Sequence, residues 1–191
     1  MDTGLKFKKK YGNFEVAFQQ NNMVGIYIEP QVIDVRIGNY NTRVYNIGFP
    51  HLYYVHTEMG LEYIYVAKKK LRSVDENIGA FPFYNTIVCR HGKVCSNYLF
   101  QANDSLIQRA KLAALNFFSG IFTYIIEGYG YAFYKKLPLE LRPESYINDR
   151  TLSRVLVPQW EKLTQEKGYQ YIRDLDWQTD ETLKDIINTI G

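Results

Sequence analysis

Through much of the first half of the chain, apolar and polar residues alternate at period two, the spacing of strands with one buried face. Phe14, Val16 and Phe18 interleave with Asn13, Glu15 and Gln19 before Asn21-Asn22 breaks the run. Val24 to Ile28 predicts a second strand, stopped by Glu29-Pro30. Val32 to Ile37 predicts a third, closed by the turn dipeptide Gly38-Asn39. Arg43 to Ile47 predicts a fourth, ended by Gly48 and Pro50. Leu52 to His56 and Leu61 to Ala67 read as a hairpin across Glu58-Met59-Gly60, where glycine supplies the awkward backbone angle. Connections this short favour antiparallel neighbours and hence a meander.

The pattern changes after Gly79. Pro82 restrains its predecessor, so Phe81-Pro82-Phe83-Tyr84-Asn85 is expected to be extended. Thr86 to Cys89 and Lys93 to Asn97 read as short strands around Arg90-His91-Gly92. Asn103, Asp104 and Ser105 are all competent helix caps. Leu106, Ile107, Ala110, Ala113, Ala114, Phe117 and Phe118 then recur at helical spacing, with Gln108, Arg109 and Lys111 on the polar face. This predicts a central helix (103–126) packed on one face of the sheet, ended or bent at Ser119-Gly120.

The tail, 149–191, reads as helical. Asp149 to Leu156 predicts a short helix, and Pro158 suits the first turn of a second that runs to Gly168. A last helix is expected from Thr179 or Asp180. Its stripe of Leu183, Ile186, Ile187 and Ile190 either caps the core or docks onto a partner. The expected fold is α+β, a single domain over 1–191: an antiparallel meander in the mainly β part (1–99), a central helix, and a helical C-terminal region.

Composition adds bounds to that reading. A chain of 191 residues buries a core without metal or disulfide staples. Its 17 Tyr and 11 Phe suit half-exposed sheet faces and protein interfaces, and are also good strand formers. Net charge is only +3. The basic blocks Lys6, Lys8, Lys9, Lys10 and Lys68, Lys69, Lys70, Arg72 read as solvated strand ends or turns, so nucleic-acid binding is not expected. Met1 to Tyr11 is polar and lysine-rich, unlike a secretory leader. No run approaches the ~20 apolar residues of a membrane span. Two cysteines do not make a secreted-type disulfide framework. A cytoplasmic protein with no membrane association is expected.

Motifs for a nucleophile elbow, a Walker loop or a dinucleotide fold are absent. Cys89, His91 and Cys95 are three potential zinc ligands, but a structural site needs four. No metal and no cofactor is therefore expected. Cys95 invites another chemistry. A cysteine on an exposed extended segment can accept an acyl group as a thioester, and a nearby Asn amide can donate a hydrogen bond to the tetrahedral oxyanion. The alternative is a small apolar residue filling a strand, with Asn85 a turn residue bonded to its own backbone. His91, beside Gly92, is either a general base or an exposed turn residue.

These residues carry a resemblance. A β-meander, then Phe81-Pro82-Phe83-Tyr84-Asn85, then Gly92-Lys93-Val94-Cys95, then a helix: this order is similar to the ubiquitin-conjugating-enzyme (UBC) fold, especially its divergent bacterial and phage members such as those of the PRTRC plasmid system. Phe-Pro-Phe-Tyr-Asn stands where the family has His-Pro-Asn. The resemblance covers about residues 45–125. It implies that Cys95 is the thioester-forming nucleophile and Asn85 the oxyanion-supporting amide, with a ubiquitin-like modifier and its activating enzyme as partners, or else an inactive relative. A second expectation needs no cysteine chemistry: a structural or adaptor subunit of a larger assembly such as a phage particle.

Overall fold

A computed structural model describes residues 14–20, 22–38, 43–95, 104–122 and 128–190. Eleven strands and five helices are described: β1 Phe14–Gln20, β2 Met23–Ile28, β3 Gln31–Ile37, β4 Arg43–Phe49, β5 His51–Thr57, β6 Glu62–Ala67, β7 Asn77–Ala80, β8 Thr86–Ile87, β9 Lys93–Val94, α1 Leu106–Ser119, β10 Ile121–Phe122, α2 Gly130–Lys136, α3 Asp149–Lys167, α4 Tyr169–Arg173, β11 Glu181–Thr182 and α5 Leu183–Ile190. The α+β fold holds, but the sheet is not a simple meander. The main sheet runs β1-β2-β5-β6-β7-β11, while β3 and β4 leave it to form a second sheet with β10. β2 therefore pairs with β5, from Met23↔Thr57 to Ile28↔Leu52, and not with its sequence neighbour β3.

The central strands explain this choice. Every residue of β2 and β6, and all of β5 after His51, is buried. Such runs need cover on both faces. Val24, Ile26, Leu52, Tyr54, Ile64 and Val66 point to one core, shared with α1, α3 and the second sheet. Met23, Tyr27, Tyr53, Val55, Tyr63 and Tyr65 point to the other, covered by Leu183, Ile186 and Ile187 of α5. The stripe of the last helix thus belongs to the core. The tyrosines of these strands are buried, where half-exposed faces had been expected, and two of the hydroxyls on this face find internal partners: Tyr53 Oη accepts from Leu71 N at 2.7 Å, and Tyr27 Oη lies 2.8 Å from His51 Nδ1, whereas Tyr65 Oη is buried with no hydrogen-bond partner among the described residues.

The second sheet has its outer edge covered. Asn46 N donates to Glu161 Oε1 at 2.8 Å, Gly48 N donates to Thr164 Oγ1 at 2.9 Å, and Trp160 Nε1 donates to Gly48 O at 2.9 Å. Helix α3 thereby satisfies the groups of β4 that would otherwise recruit another strand. Gly48 lies inside the strand, where Arg43 to Ile47 had been expected to end, because a Cβ there would stand 3.0 Å from Tyr169 Cα.

Several boundaries differ from the sequence expectation. Helix α1 stops at Ser119 and not near 126: Gly120 takes an extended conformation and the chain joins β3 as the parallel strand β10. Residues 123–127 lie outside the described set, as do the caps' neighbour Asn103, the first lysine block and Ser96 to Asn97. Helix α3 continues through Pro158 as one helix, where two had been expected. An interior proline costs about 3 kcal/mol. Leu152 and Leu156 before it, and Trp160 after it, are all buried in the same core, and this shared burial holds the two halves in line. Helix α5 begins at Leu183, later than Thr179, because Glu181 and Thr182 first pair with β7. Thr182 then accepts from Asp185 N, and Asp185 accepts from Thr182 N, closing the helix start.

Candidate functional site

The outer edge of β6 is shared. β7 takes Tyr65 and Val66, whereas β9 takes Tyr63. Between them the chain leaves the sheet at Phe81, whose N donates to Ile64 O at 3.1 Å. It packs Phe81, Phe83 and Tyr84 fully into the aromatic core and returns at Thr86. The expected extended run is buried and ends in a turn at Tyr84 and Asn85, held by Thr86 Oγ1 donating to Phe83 O at 2.5 Å. Asn85 closes it in the left-handed region, φ 61°, which Asn tolerates better than most residues. Past β8, Val88–Arg90 form a 3-10 turn where strand had been expected to reach Cys89, and Gly92 (φ 69°) leads into β9. A Cβ at Gly92 would sit 2.5 Å from Ile64 O, so the hairpin can lie this close to β6 only with glycine there.

This hairpin brings the two sequence candidates together. The ladder Ile87↔Lys93, Thr86↔Val94 is extended by Cys95 N donating to Asn85 O at 2.8 Å. Cys95 is exposed and not a strand-filling core residue. Both residues line a cavity of about 280 Å³. Glu62 of β6 and Val94 of β9 form its sheet side, Ala113, Asn116 and Phe117 of α1 its helix side, and Gly120, Ile121 and Phe122 its far wall.

Glu62 is the one buried carboxylate among the described residues, 3% exposed. Tyr54 Oη donates to Glu62 Oε2 at 2.5 Å. Burial, then the Glu62 charge and this hydrogen bond, push the Tyr54 hydroxyl pKa well above its ordinary value. Glu62 Oε1 lies 3.8 Å from Nδ1 of His56, which is fully buried. Burial, helped by the nearby Arg109 charge, lowers the His56 pKa to about 4. The His56–Glu62 contact is therefore not an ion pair at neutral pH. On the helix side, Asn116 Nδ2 and Arg109 Nε are buried with no hydrogen-bond partner among the described residues. Arg109 Nη1 donates to Glu58 O at 3.3 Å.

The remaining candidates lie elsewhere. His91 is held in the turn, with Nδ1 3.2 Å from Glu181 Oε2 of β11, and does not line the cavity. Cys89 is exposed on the 3-10 turn. Among the described residues, no three His, Cys, Asp or Glu side chains gather as a metal-holding group, so Cys89, His91 and Cys95 do not form one. The second lysine block is matched internally: Lys68 with Asp176 at 2.7 Å, Lys69 with Glu76 at 2.6 Å and Lys70 with Glu15 at 2.6 Å. No described helix is long and apolar enough to cross a membrane.

Sequence reasoning did not single out Glu62 or Asn116 as site residues. Each nevertheless carries a signal: a carboxylate inside the apolar run Leu61 to Ala67, and an amide within the apolar stripe of α1. Comparison of the chain with protein-family models, curated proteins and solved structures finds no match.

Proposed function

We propose that this protein is a UBC-like acyl carrier that accepts a ubiquitin-like modifier, or a similar acyl group, as a thioester on Cys95. One observation carries the reading: Cys95 is exposed and lines the same cavity as Asn85, its direct neighbour across the β8–β9 ladder. The order of an antiparallel sheet, a Pro-containing turn ending in Asn85, Cys95 and then helix α1 supports it. In the step itself the Cys95 thiolate attacks the carbonyl carbon of a donor thioester. A new S–C bond forms, the donor C–S bond breaks, and the departing thiolate takes up the proton that Cys95 released to solvent. Amides in the cavity stabilise the oxyanion of the tetrahedral intermediate. Asn85 and Asn116 are the amides of that wall.

The test is acylation of the full chain by N-acetylglycine thiophenyl ester, followed by intact mass, and in parallel by an activating enzyme charged with its ubiquitin-like protein. A hydroxylamine-labile adduct present in Cys89→Ala and lost in Cys95→Ala is expected. Adducts on both cysteines at equal rates, or none beyond the rate of a free thiol, would sink the reading.

A non-enzymatic adaptor or structural subunit of a larger assembly is the second reading. The second sheet favours it: Val32, Val44 and Ile121, 42%, 48% and 51% exposed, share its outer face through the cross-strand row Ile121, Arg36, Val44. A stable complex that survives Cys95→Ala and is lost in Val44→Lys would identify that role.

A further inference from the structure

The cavity behind Cys95 is lined by polar and apolar residues, and two of its polar side chains, Glu62 and Asn116, are of opposite kind. Glu62 offers acceptor capacity: Tyr54 occupies Oε2, while Oε1 stands 3.8 Å from His56 Nδ1, beyond hydrogen-bond range. Asn116 Nδ2 is a buried donor without a hydrogen-bond partner among the described residues. Leaving such a donor unmade costs about 1–3 kcal/mol, so it is retained where something that enters the site makes the bond. Ala113, Phe117 and Phe122 supply the apolar wall. At about 280 Å³ the space falls just below the range of drug-sized pockets, which suits one residue with its flanking peptide groups.

We infer that this cavity binds a peptide unit bearing a mid-sized apolar side chain: the unit's N–H donates to Glu62, its carbonyl accepts from Asn116 Nδ2, and the side chain packs on Phe117 and Phe122. The inference deepens the acyl-carrier reading, because a residue seated here lies beside the thiol and forms the acyl group's near end. It predicts a preference that a glycine tail does not satisfy. A glycine unit makes the two hydrogen bonds but leaves the apolar wall unfilled, losing most of the burial of a Leu-sized side chain, about 1.5–3 kcal/mol or about ten- to hundredfold in affinity. His56 Nδ1 stands 3.8 Å from Glu62 Oε1, beyond hydrogen-bond range, and the Arg109 hydrogen bond goes to Glu58 O.

The experiment separates this inference from the reading on which it rests. Binding of N-acetyl-leucine-N-methylamide and N-acetyl-glycine-N-methylamide to the full chain carrying Cys95→Ser is followed by NMR, which needs no reactive thiol. The leucine amide is expected to bind saturably and at least about tenfold more tightly than the glycine amide. Asn116→Ala is expected to weaken it about fivefold to tenfold, for both amides alike. Equal binding of the two amides, or none to their solubility limit in a folded protein, overturns the inference. Leucine-selective binding alongside a Cys95 that takes no acyl group would leave the pocket standing and defeat the carrier reading. Acylation of Cys95 at equal rates by glycine and leucine thioesters would do the reverse.

Discussion

His56 is a base buried against a carboxylate, and the two candidate descriptions of that pair give pH dependences of opposite sign. If His56 were an imidazolium paired with Glu62, its folded pKa would rise and acidification would strengthen the fold. The geometry argues otherwise, since the ring is fully buried, Arg109 is nearby and Glu62 Oε1 stands 3.8 Å away. Its pKa falls from 6.5 to about 4 on folding. The group is then neutral in the folded state and takes a proton on unfolding, so its stability contribution is complete above the unfolded value of 6.5 and is lost as pH falls toward 4. The linkage integral gives a loss of about 2 kcal/mol by about pH 5 and about 3 kcal/mol in full.

The perturbation is His56→Gln, which keeps a polar group of similar reach and removes the titration. Urea unfolding of both proteins between about pH 7.5 and pH 5 isolates His56 as a difference of slopes. His51, whose pKa burial also lowers, is common to both proteins. Stopping there keeps out Glu76, Asp174, Asp180 and Asp185, whose depressed pKa values lose stability only under more acid conditions. The wild type is expected to lose about 2 kcal/mol more than His56→Gln over this interval. Parallel profiles, or a wild type that gains relative to the variant, would refute the buried neutral imidazole and restore the ion pair.

Two further tests address what holds the site in place. Gly79→Ala places a methyl group 1.9 Å from the Gln178 carbonyl oxygen, a backbone atom that cannot rotate away; a loss of about 3 kcal/mol in urea unfolding is expected, and a loss below about 1 kcal/mol would show that β11 yields easily. Thr164→Val keeps the shape but removes the acceptor of Gly48 N, at an expected cost of about 1–3 kcal/mol, whereas Thr164→Ser stays near wild type; equal stability of Val and Ser variants would mean that the edge of β4 does not depend on α3.

What the sequence revealed was mostly local. The β5–β6 hairpin at Glu58 to Gly60, the start of α1 at Ser105 and its packing on the sheet are all read correctly because each is decided within a few residues; Ser105 Oγ accepts from Gln108 N while the Gln108 side chain accepts from Ser105 N. The adjacency of Asn85 and Cys95 was legible for the same reason, since ten residues of hairpin join them. The pairing of β2 with β5 was not, because a continuous apolar run says that a strand is buried on both faces without saying against which strand. Pro158 misled because a propensity of known size was outweighed by burial against elements distant in sequence. Glu62 and Asn116 were illegible as a pair: 54 residues separate them (116 minus 62), and only the packing of α1 across β2 and β5, beside β6, brings both to one cavity.

Three departures from local rules meet at one place. A buried carboxylate, a buried amide donor without a partner among the described residues, and a non-glycine residue at positive φ each cost a fold stability, roughly 1–3 kcal/mol apiece. Scattered through the molecule they would read as imperfections of packing. Here Glu62, Asn116 and Asn85 line one cavity together with the exposed residue Cys95. Elsewhere the same chain is careful: both buried indoles donate to carbonyls at 2.9 Å, the edge of β4 is bonded by α3, and the Lys68 to Lys70 cations each face a carboxylate. Tyr65 Oη and Asn22 Oδ1, outside the cavity, are also buried without a hydrogen-bond partner among the described residues, and His91 also has a positive φ, so what marks the cavity is that three such departures share one wall with a cysteine. Sequences that specify a structure consistently break their own rules chiefly where function requires it. The cavity between β6, the β8–β9 hairpin and α1 is the place where the proposed ligand would make the hydrogen bond that Asn116 lacks, and Cys95 beside it is the thiol on which the acyl-carrier proposal stands or falls.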